Sequence, residues 1–119
     1  MTQHALNPRD LAQFTGTETW WRHPLTKTVY TDGVRYVAEN AGAYWLIDAI
    51  AFSQHEPAVR AEDFQCWKLT LAEDRSATLT CENGNDKAVY KQEIGFTDFP
   101  LKSFEMWYAS NTLYLPSEH

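Results

Sequence analysis

The sequence predicts an α+β fold, with an antiparallel meander of about four to six strands and helices packed on one face of the sheet. Apolar residues from Val34 to Ala41 recur at helical spacing, and residues 43–53 form an apolar stretch of helix length. From residue 64 onward, apolar and polar residues alternate with the period of a β-strand. A sheet with one apolar face needs one covering layer, and the apolar helix is the obvious cover.

The length of the chain limits the number of domains, and its net charge limits the classes of partner. The 119 residues suffice for one core, so we expect a single domain over residues 1–119. The net charge is −6, and residues 55–119 carry most of the excess acid. Nucleic acids and anionic membranes both attract basic surfaces, so we expect neither as a partner. The N-terminus lacks a secretory pattern and no apolar stretch could span a membrane, which favours a cytoplasmic protein.

The first predicted elements are a short helix and a hairpin. The helix would cover residues 7–14, with Asn7 as its cap and Pro8 at its first position. Residues 18–23 are typical of an extended segment and would pair with residues 27–31 as a hairpin.

The Asp32-Gly33 pair is ambiguous, because it suits either a hairpin turn or the start of a helix. The helical spacing of apolar residues after it favours the helix, with Asp32 as the cap and Gly42 at the end. A second helix over residues 43–53 is apolar on every side, which is typical of a helix in the middle of a core.

The second half of the chain predicts strands separated by polar turns. The predicted strands are residues 64–71, 77–82, 88–94, 102–110 and 113–115. Every second residue of a strand points to the same face of the sheet. This alternation predicts one apolar face made of Trp67, Leu69, Leu71, Ala77, Leu79, Cys81, Ala88, Tyr90 and Ile94.

The register of the first two of these strands can be predicted. The apolar residues of the two strands coincide when Leu69 faces Leu79 and Trp67 faces Cys81, whereas a slip by one residue would bury threonines. In this register Cys81 points to the core and Cys66 to the opposite face. The two cysteines then cannot reach disulfide geometry, so we expect free thiols that are buried or half-buried.

The candidate catalytic residues are His23, Asp32, Asp48 and Asp98, because a histidine beside a carboxylate can act as a general base. An unpaired charge within the apolar helix would be costly, so Asp48 must be paired, cap a backbone group or be protonated. Its candidate partners are Arg22, Arg35 and Lys27. The competing interpretation makes Asp48 a structural contact, Asp98 a turn residue and His23 a polar residue at a strand end.

The candidate binding surface consists of aromatic residues and an arginine, namely Trp20, Trp21, Arg22, Trp107 and Tyr108. Adjacent residues of a strand point to opposite faces, so one member of each aromatic pair is exposed unless another segment covers it. The predicted N-terminal helix could supply that cover. Exposed tryptophan and tyrosine side chains are common at protein interfaces.

No motif for a cofactor, a metal or a covalent nucleophile occurs in the chain. The histidines lack the spacing of a zinc site, and no glycine-rich phosphate loop or nucleophile elbow is present. We therefore expect no metal and no cofactor.

Several stretches together resemble a family of small bacterial proteins that is described only as a domain of unknown function. They are residues 14–18, 22–23, 30–34, 44–48, 97–101 and 115–118. The resemblance spans nearly the whole chain. It implies a single bacterial cytoplasmic domain, often encoded near plasmid or phage genes, and it implies no activity, cofactor or substrate.

The sequence is compatible with three functions. The leading hypothesis is a non-catalytic module that binds a protein or a second copy of itself, as an accessory or inhibitor protein of a mobile element. The second is a small enzyme that uses His23 with Asp48 or Asp98 in acid–base chemistry. The third is a binder of a small ligand, with its pocket beside the hairpin over residues 20–23.

Overall fold

A computed structural model describes residues 19–118, so the helix predicted over residues 7–14 lies outside the described residues. The helices are α1 (Asp32–Ala41), α2 (Tyr44–Ser53) and α3 (Pro57–Arg60), followed near the C-terminus by a 3₁₀ turn (Pro116–Glu118). The strands are β1 (Trp20–Arg22), β2 (Val29–Thr31), β3 (Phe64–Leu71), β4 (Ala77–Glu82), β5 (Ala88–Ile94), β6 (Ser103–Ala109) and β7 (Thr112–Tyr114).

The fold is α+β, and the described residues form one mixed sheet in the order β1-β2-β7-β6-β3-β4-β5. The sheet is mostly antiparallel, but it has seven strands where four to six were predicted. It is also not a simple meander, because β6 pairs with β3 and not with β5. The β1–β2 hairpin joins the main sheet, where β2 runs parallel to β7. One edge of β7 pairs with β6. The backbone groups on its other edge also need hydrogen-bond partners, and β2 supplies them.

The register predicted for β3 and β4 is confirmed, since Leu69 pairs with Leu79 and Trp67 with Cys81. The predicted apolar face fails at Ala88. The register between β4 and β5 shifts beside Cys81, so Ala88 is exposed and Val89 packs against the core in its place. A bulge adds one residue to a strand and reverses the parity beyond it, which the alternation of residue types does not reveal.

Helix α1 begins where the sequence predicts, but its cap is different. The Thr31 hydroxyl, and not the Asp32 carboxylate, accepts the backbone N–H of Val34 at 3.3 Å. Asp32 therefore occupies the first turn, where a negative charge suits the helix dipole. Gly42 ends the helix at a φ of 62°, the left-handed conformation that glycine adopts without a Cβ penalty.

The prediction that helix α2 lies in the middle of the core is wrong, because one side of the helix is exposed. Leu46 and Ile50 are at most 2% exposed and pack toward the sheet, whereas Tyr44 and Phe52 are 43% and 45% exposed. The Asp48 side chain is 54% exposed on the same side. A helix that covers one face of a sheet has solvent on its other side, so even an apolar helix must expose some of its residues.

The C-terminal turn is attached to the start of α1. The Glu118 carboxylate accepts the Thr31 hydroxyl at 2.6 Å and the backbone N–H groups of Gly33 and Leu115 at 3.3 and 2.9 Å. A Cβ at Gly33 would lie only 2.6 Å from Leu115 Cδ1, so glycine permits this close approach. A carboxylate at the N-terminus of a helix is stabilised by the helix dipole.

Both thiols are free and buried, as predicted. Cys81 lies in the core with no exposed surface, and Cys66 lies on the outer sheet face at 8% exposure. Burial raises the pKa of each thiol from its ordinary value of 9.0 to about 12, with a further contribution at Cys66 from its hydrogen bond to Glu105.

Both thiols should therefore resist alkylation in the native protein at about pH 8 and react fully in denaturant. The unfolded thiols ionise near 9.0 while the folded ones keep their protons, so unfolding releases protons between these values. The free energy of unfolding should be independent of the thiols below pH 9.0 and should fall as the pH rises toward about 12. Mass spectrometry after iodoacetamide treatment, with and without urea, checks the first expectation. Labelling of the folded chain at both sites would contradict it.

Candidate functional site

The His23 side chain joins the β1–β2 hairpin to helix α2. Its Nε2 lies 2.8 Å from Asp48 Oδ1, although the two residues are 25 positions apart in the chain. The backbone N–H of His23 donates to Thr28 across the hairpin turn at 2.8 Å, and this bond fixes where the side chain leaves the strand. The His23 residue is 3% exposed. The structure thus brings together one of the histidine–carboxylate pairs that the sequence suggested.

The other ring nitrogen determines the tautomer of His23. The backbone N–H of Leu25 donates to Nδ1 at 3.1 Å. A backbone N–H can only donate, so Nδ1 accepts and the proton of the neutral ring is on Nε2, from which it is donated to Asp48. Both nitrogens are therefore occupied by groups of the protein itself.

In this arrangement both ring nitrogens of His23 are engaged by groups of the protein. A base needs a ring nitrogen whose lone pair can reach a substrate proton. The Nδ1 lone pair faces the backbone of the hairpin turn, and Nε2 already carries the proton that it shares with Asp48. The pair instead acts as a connection between the hairpin and α2.

Three exposed apolar side chains surround this connection. Tyr44 and Phe52 lie one helical turn to either side of Asp48 on the exposed face of α2, and Leu25 of the hairpin turn is 78% exposed. The Phe52 ring meets the buried His23 ring edge to face, with centroids 5.3 Å apart. We call Leu25, Tyr44, Asp48 and Phe52 the hairpin–helix surface.

A charged row continues from this surface toward α1. The Tyr44 hydroxyl donates to Glu39 at 3.3 Å, Glu39 pairs with Arg35 at 3.0 Å, and the Arg35 guanidinium lies 3.8 Å from the centre of the Trp21 ring. Burial raises the pKa of the neighbouring Tyr30, helped by acidic groups that include Tyr44, while Arg35 opposes the increase. The row links the hairpin, α1 and α2 at one edge of the sheet.

A profile of a protein family matches residues 5–119, and its description is a family of unknown function, DUF6876. The chain belongs to this family. A search of curated proteins and a search of solved structures each found no match. Membership of DUF6876 confirms the resemblance seen in the sequence, while the bacterial source and the plasmid or phage neighbourhood stay predictions.

In this DUF6876 chain, the predicted aromatic surface is divided between the two sheet faces. Trp20, Arg22 and Trp107 share the outer face, and Trp20 is 55% exposed. Trp21 and Tyr108 lie on the core face, where Tyr108 is 5% exposed and its hydroxyl lies 3.1 Å from Thr28 Oγ1. Residues that are adjacent in the chain alternate between faces, so the five could not form one surface.

Trp107 contacts two other aromatic residues on the outer face. The Trp107 ring packs edge to face against Phe64 and Tyr114, with centroids 5.4 and 6.2 Å apart. Its indole N–H donates to Glu105 at 2.6 Å. These contacts connect β3, β6 and β7, which is a structural role.

Two of the candidate aspartates do not join His23. Asp32 accepts the Trp21 indole N–H at 3.3 Å at the start of α1. Asp98 follows Thr97, whose backbone carbonyl accepts from Arg75 in the turn after β3. His23 lies near the other end of β3, which has eight residues and therefore a length of about 25 Å. A His23–Asp98 pair is therefore incompatible with the fold.

The partner expected for Asp48 was a cation, and the structure provides His23 instead. Arg35 pairs with Glu39, and Arg22 points to the outer face. The exposed position of Asp48 removes the need for a charged partner, because the carboxylate remains hydrated.

The described part of the chain also limits other kinds of site. It contains no group of three or more His, Cys, Asp or Glu side chains placed to hold a metal ion. Within residues 19–118, no helix has the length and apolar character needed to cross a bilayer.

The sequence reasoning overlooked Leu25, Tyr44 and Phe52 as surface residues. One signal was available for the two on α2. An aspartate marks the solvent side of an otherwise apolar helix, and Tyr44 and Phe52 lie four residues to either side of Asp48.

Proposed function

We propose that the chain is a non-catalytic interaction module that binds a partner protein through the hairpin–helix surface. The observation that carries this proposal is the 54% exposed Asp48 carboxylate between the exposed side chains of Tyr44 and Phe52. Aromatic residues are enriched at protein interfaces, and isolated charges between them give specificity.

The partner should present an arginine or lysine flanked by apolar side chains. Asp48 uses Oδ1 for His23, and within residues 19–118 its Oδ2 makes no hydrogen bond or ion pair, so this oxygen can accept from a partner cation. Tyr44 and Phe52 would contact the aliphatic stem of that cation and add cation–π attraction. The net charge of −6 would attract a basic partner over a longer range.

The contacts of His23 connect the two elements of this surface before a partner binds. The His23 ring, which is buried beneath Phe52, accepts from the hairpin turn and donates to α2, so the exposed side chains project from two connected elements. A pre-formed surface loses little conformational entropy on association. His23 is a positioning residue in this interpretation.

The cellular setting of the module is also a proposal. Two free, unpaired thiols support a reducing compartment such as the cytoplasm. A role as an accessory or inhibitor protein of a mobile element is consistent with an acidic surface that meets a basic partner.

The test is an array of synthetic peptides in which arginine or lysine stands between apolar residues, with glutamate versions of the same peptides beside them. We expect selective binding of basic peptides and a loss of about tenfold or more in affinity for Asp48→Asn and for Phe52→Ala. The amide carbonyl that Asp48→Asn introduces can still accept the Nε2 proton of His23, so this variant removes the charge and keeps the connection.

Phe96→Ala is the matched control, because Phe96 is 70% exposed in the loop after β5, at the other edge of the sheet. It should bind as the unmodified protein does. Failure of every basic peptide to bind, or equal binding by Asp48→Asn, would contradict the proposal.

A further inference from the structure

A cleft with a volume of about 750 Å³ opens beside the turn of the β1–β2 hairpin. The hairpin turn forms one wall, from Leu25 to Thr28. The end of α2 and the segment after α3 form another, and the turn between β6 and β7 borders the third side. Sites for small organic ligands have volumes of about 300–1,000 Å³, so the cleft has the size of a ligand site.

Buried polar side chains line the inner part of the cleft. Tyr108 and Thr28 contact each other through their hydroxyls and are at most 5% exposed. Gln65 is 2% exposed, and its side chain exchanges two hydrogen bonds with that of Gln54 at 2.8 and 2.9 Å. These groups already have partners inside the protein, so the shape of the cleft is fixed before a ligand arrives.

Four charged side chains line the outer part of the cleft, Lys27 and Arg60 with positive charge and Glu62 and Asp63 with negative charge. In the described part of the chain, none of the four belongs to an ion pair with a nitrogen–oxygen distance of 4.0 Å or less. Opposite charges thus surround one cleft without neutralising one another directly. All four remain available to groups that enter from solvent.

We propose that this cleft binds a small zwitterionic molecule, whose anionic group contacts Lys27 or Arg60 and whose cationic group contacts Glu62 or Asp63. A ligand with one charge would satisfy one pair and meet like charges from the other, whereas a zwitterion satisfies both. The exposed apolar side chain of Leu25 also lines the cleft. The proposal does not depend on the protein-binding function proposed above, although Leu25 borders both the cleft and the hairpin–helix surface.

The test is a titration of the ¹⁵N-labelled full chain, followed by NMR, with the common L-amino acids and with glycyl-leucine. We expect shifts confined to cleft residues and dissociation constants of about 1 mM or tighter for at least one zwitterion. The N-acetylated and C-amidated forms of that probe, which each keep one charge, should bind about tenfold more weakly or worse.

Two charge-removing variants assign the charges. Lys27→Gln should remove the preference for a free carboxylate and Glu62→Gln the preference for a free amine, while Lys102→Gln, in the loop before β6, should change nothing. The absence of cleft shifts with every probe would overturn the proposal, and so would equal binding of the capped and free forms. Because the readout is the cleft itself, it is independent of the peptide array that tests the hairpin–helix surface.

Discussion

Replacing Gln65 with leucine should lower the free energy of unfolding by about 3–5 kcal/mol, as measured by urea denaturation. The Gln65 side chain accepts the Trp67 indole N–H at 2.9 Å and donates to the Val59 carbonyl at 3.0 Å. Leucine has a similar size but would leave these groups and the Gln54 amide without that partner. Each buried polar group that loses its partner costs about 1–3 kcal/mol.

Gln92→Leu is the matched control, because Gln92 faces Leu79 on the edge strand β5 and is only half-buried. It should change the free energy of unfolding by less than about 1 kcal/mol. Equal stability of the Gln65→Leu variant and the unmodified protein would show that the polar network beneath α2 and α3 is not formed.

Ile50→Ala should cost about 2–5 kcal/mol of stability. Ile50 has no exposed surface and lies in the core between α2 and the sheet. Leu25→Ala removes an aliphatic side chain that is 78% exposed, so it should cost less than about 0.5 kcal/mol. Denaturation curves of the two variants measure how far the inner side of α2 is buried, and similar losses in both would contradict the packing of this helix.

The β-strands and their register could be predicted because polar and apolar residues report which face is buried. Leu69 and Leu79 align in only one register that keeps threonines out of the core. The same reasoning failed at Ala88, since a bulge changes parity without changing the residue types. It also missed the parallel pairing of β2 with β7, because residue alternation contains no information about neighbours in a sheet.

The candidate site was only partly predictable. The chemistry of His23 and Asp48 suggests that they act together, and they do meet. The role of Nδ1 depends on a backbone N–H of the hairpin turn, which no residue type reveals. Hydropathy places the side chains of Tyr44 and Phe52 in the core, because it does not show that α2 has solvent on one side.

In this interpretation, His23 connects the hairpin to α2 and does not act in catalysis. The most direct test of that role is a long-range ¹H–¹⁵N NMR spectrum of the His23 imidazole ring at neutral pH. The expected spectrum has the proton on Nε2 and an unprotonated Nδ1, since Asp48 accepts from the first and Leu25 donates to the second. Asp48→Asn should keep this pattern. A proton on Nδ1, or a ring that exchanges freely between the two tautomers, would contradict the connection and return His23 to the candidates for proton transfer.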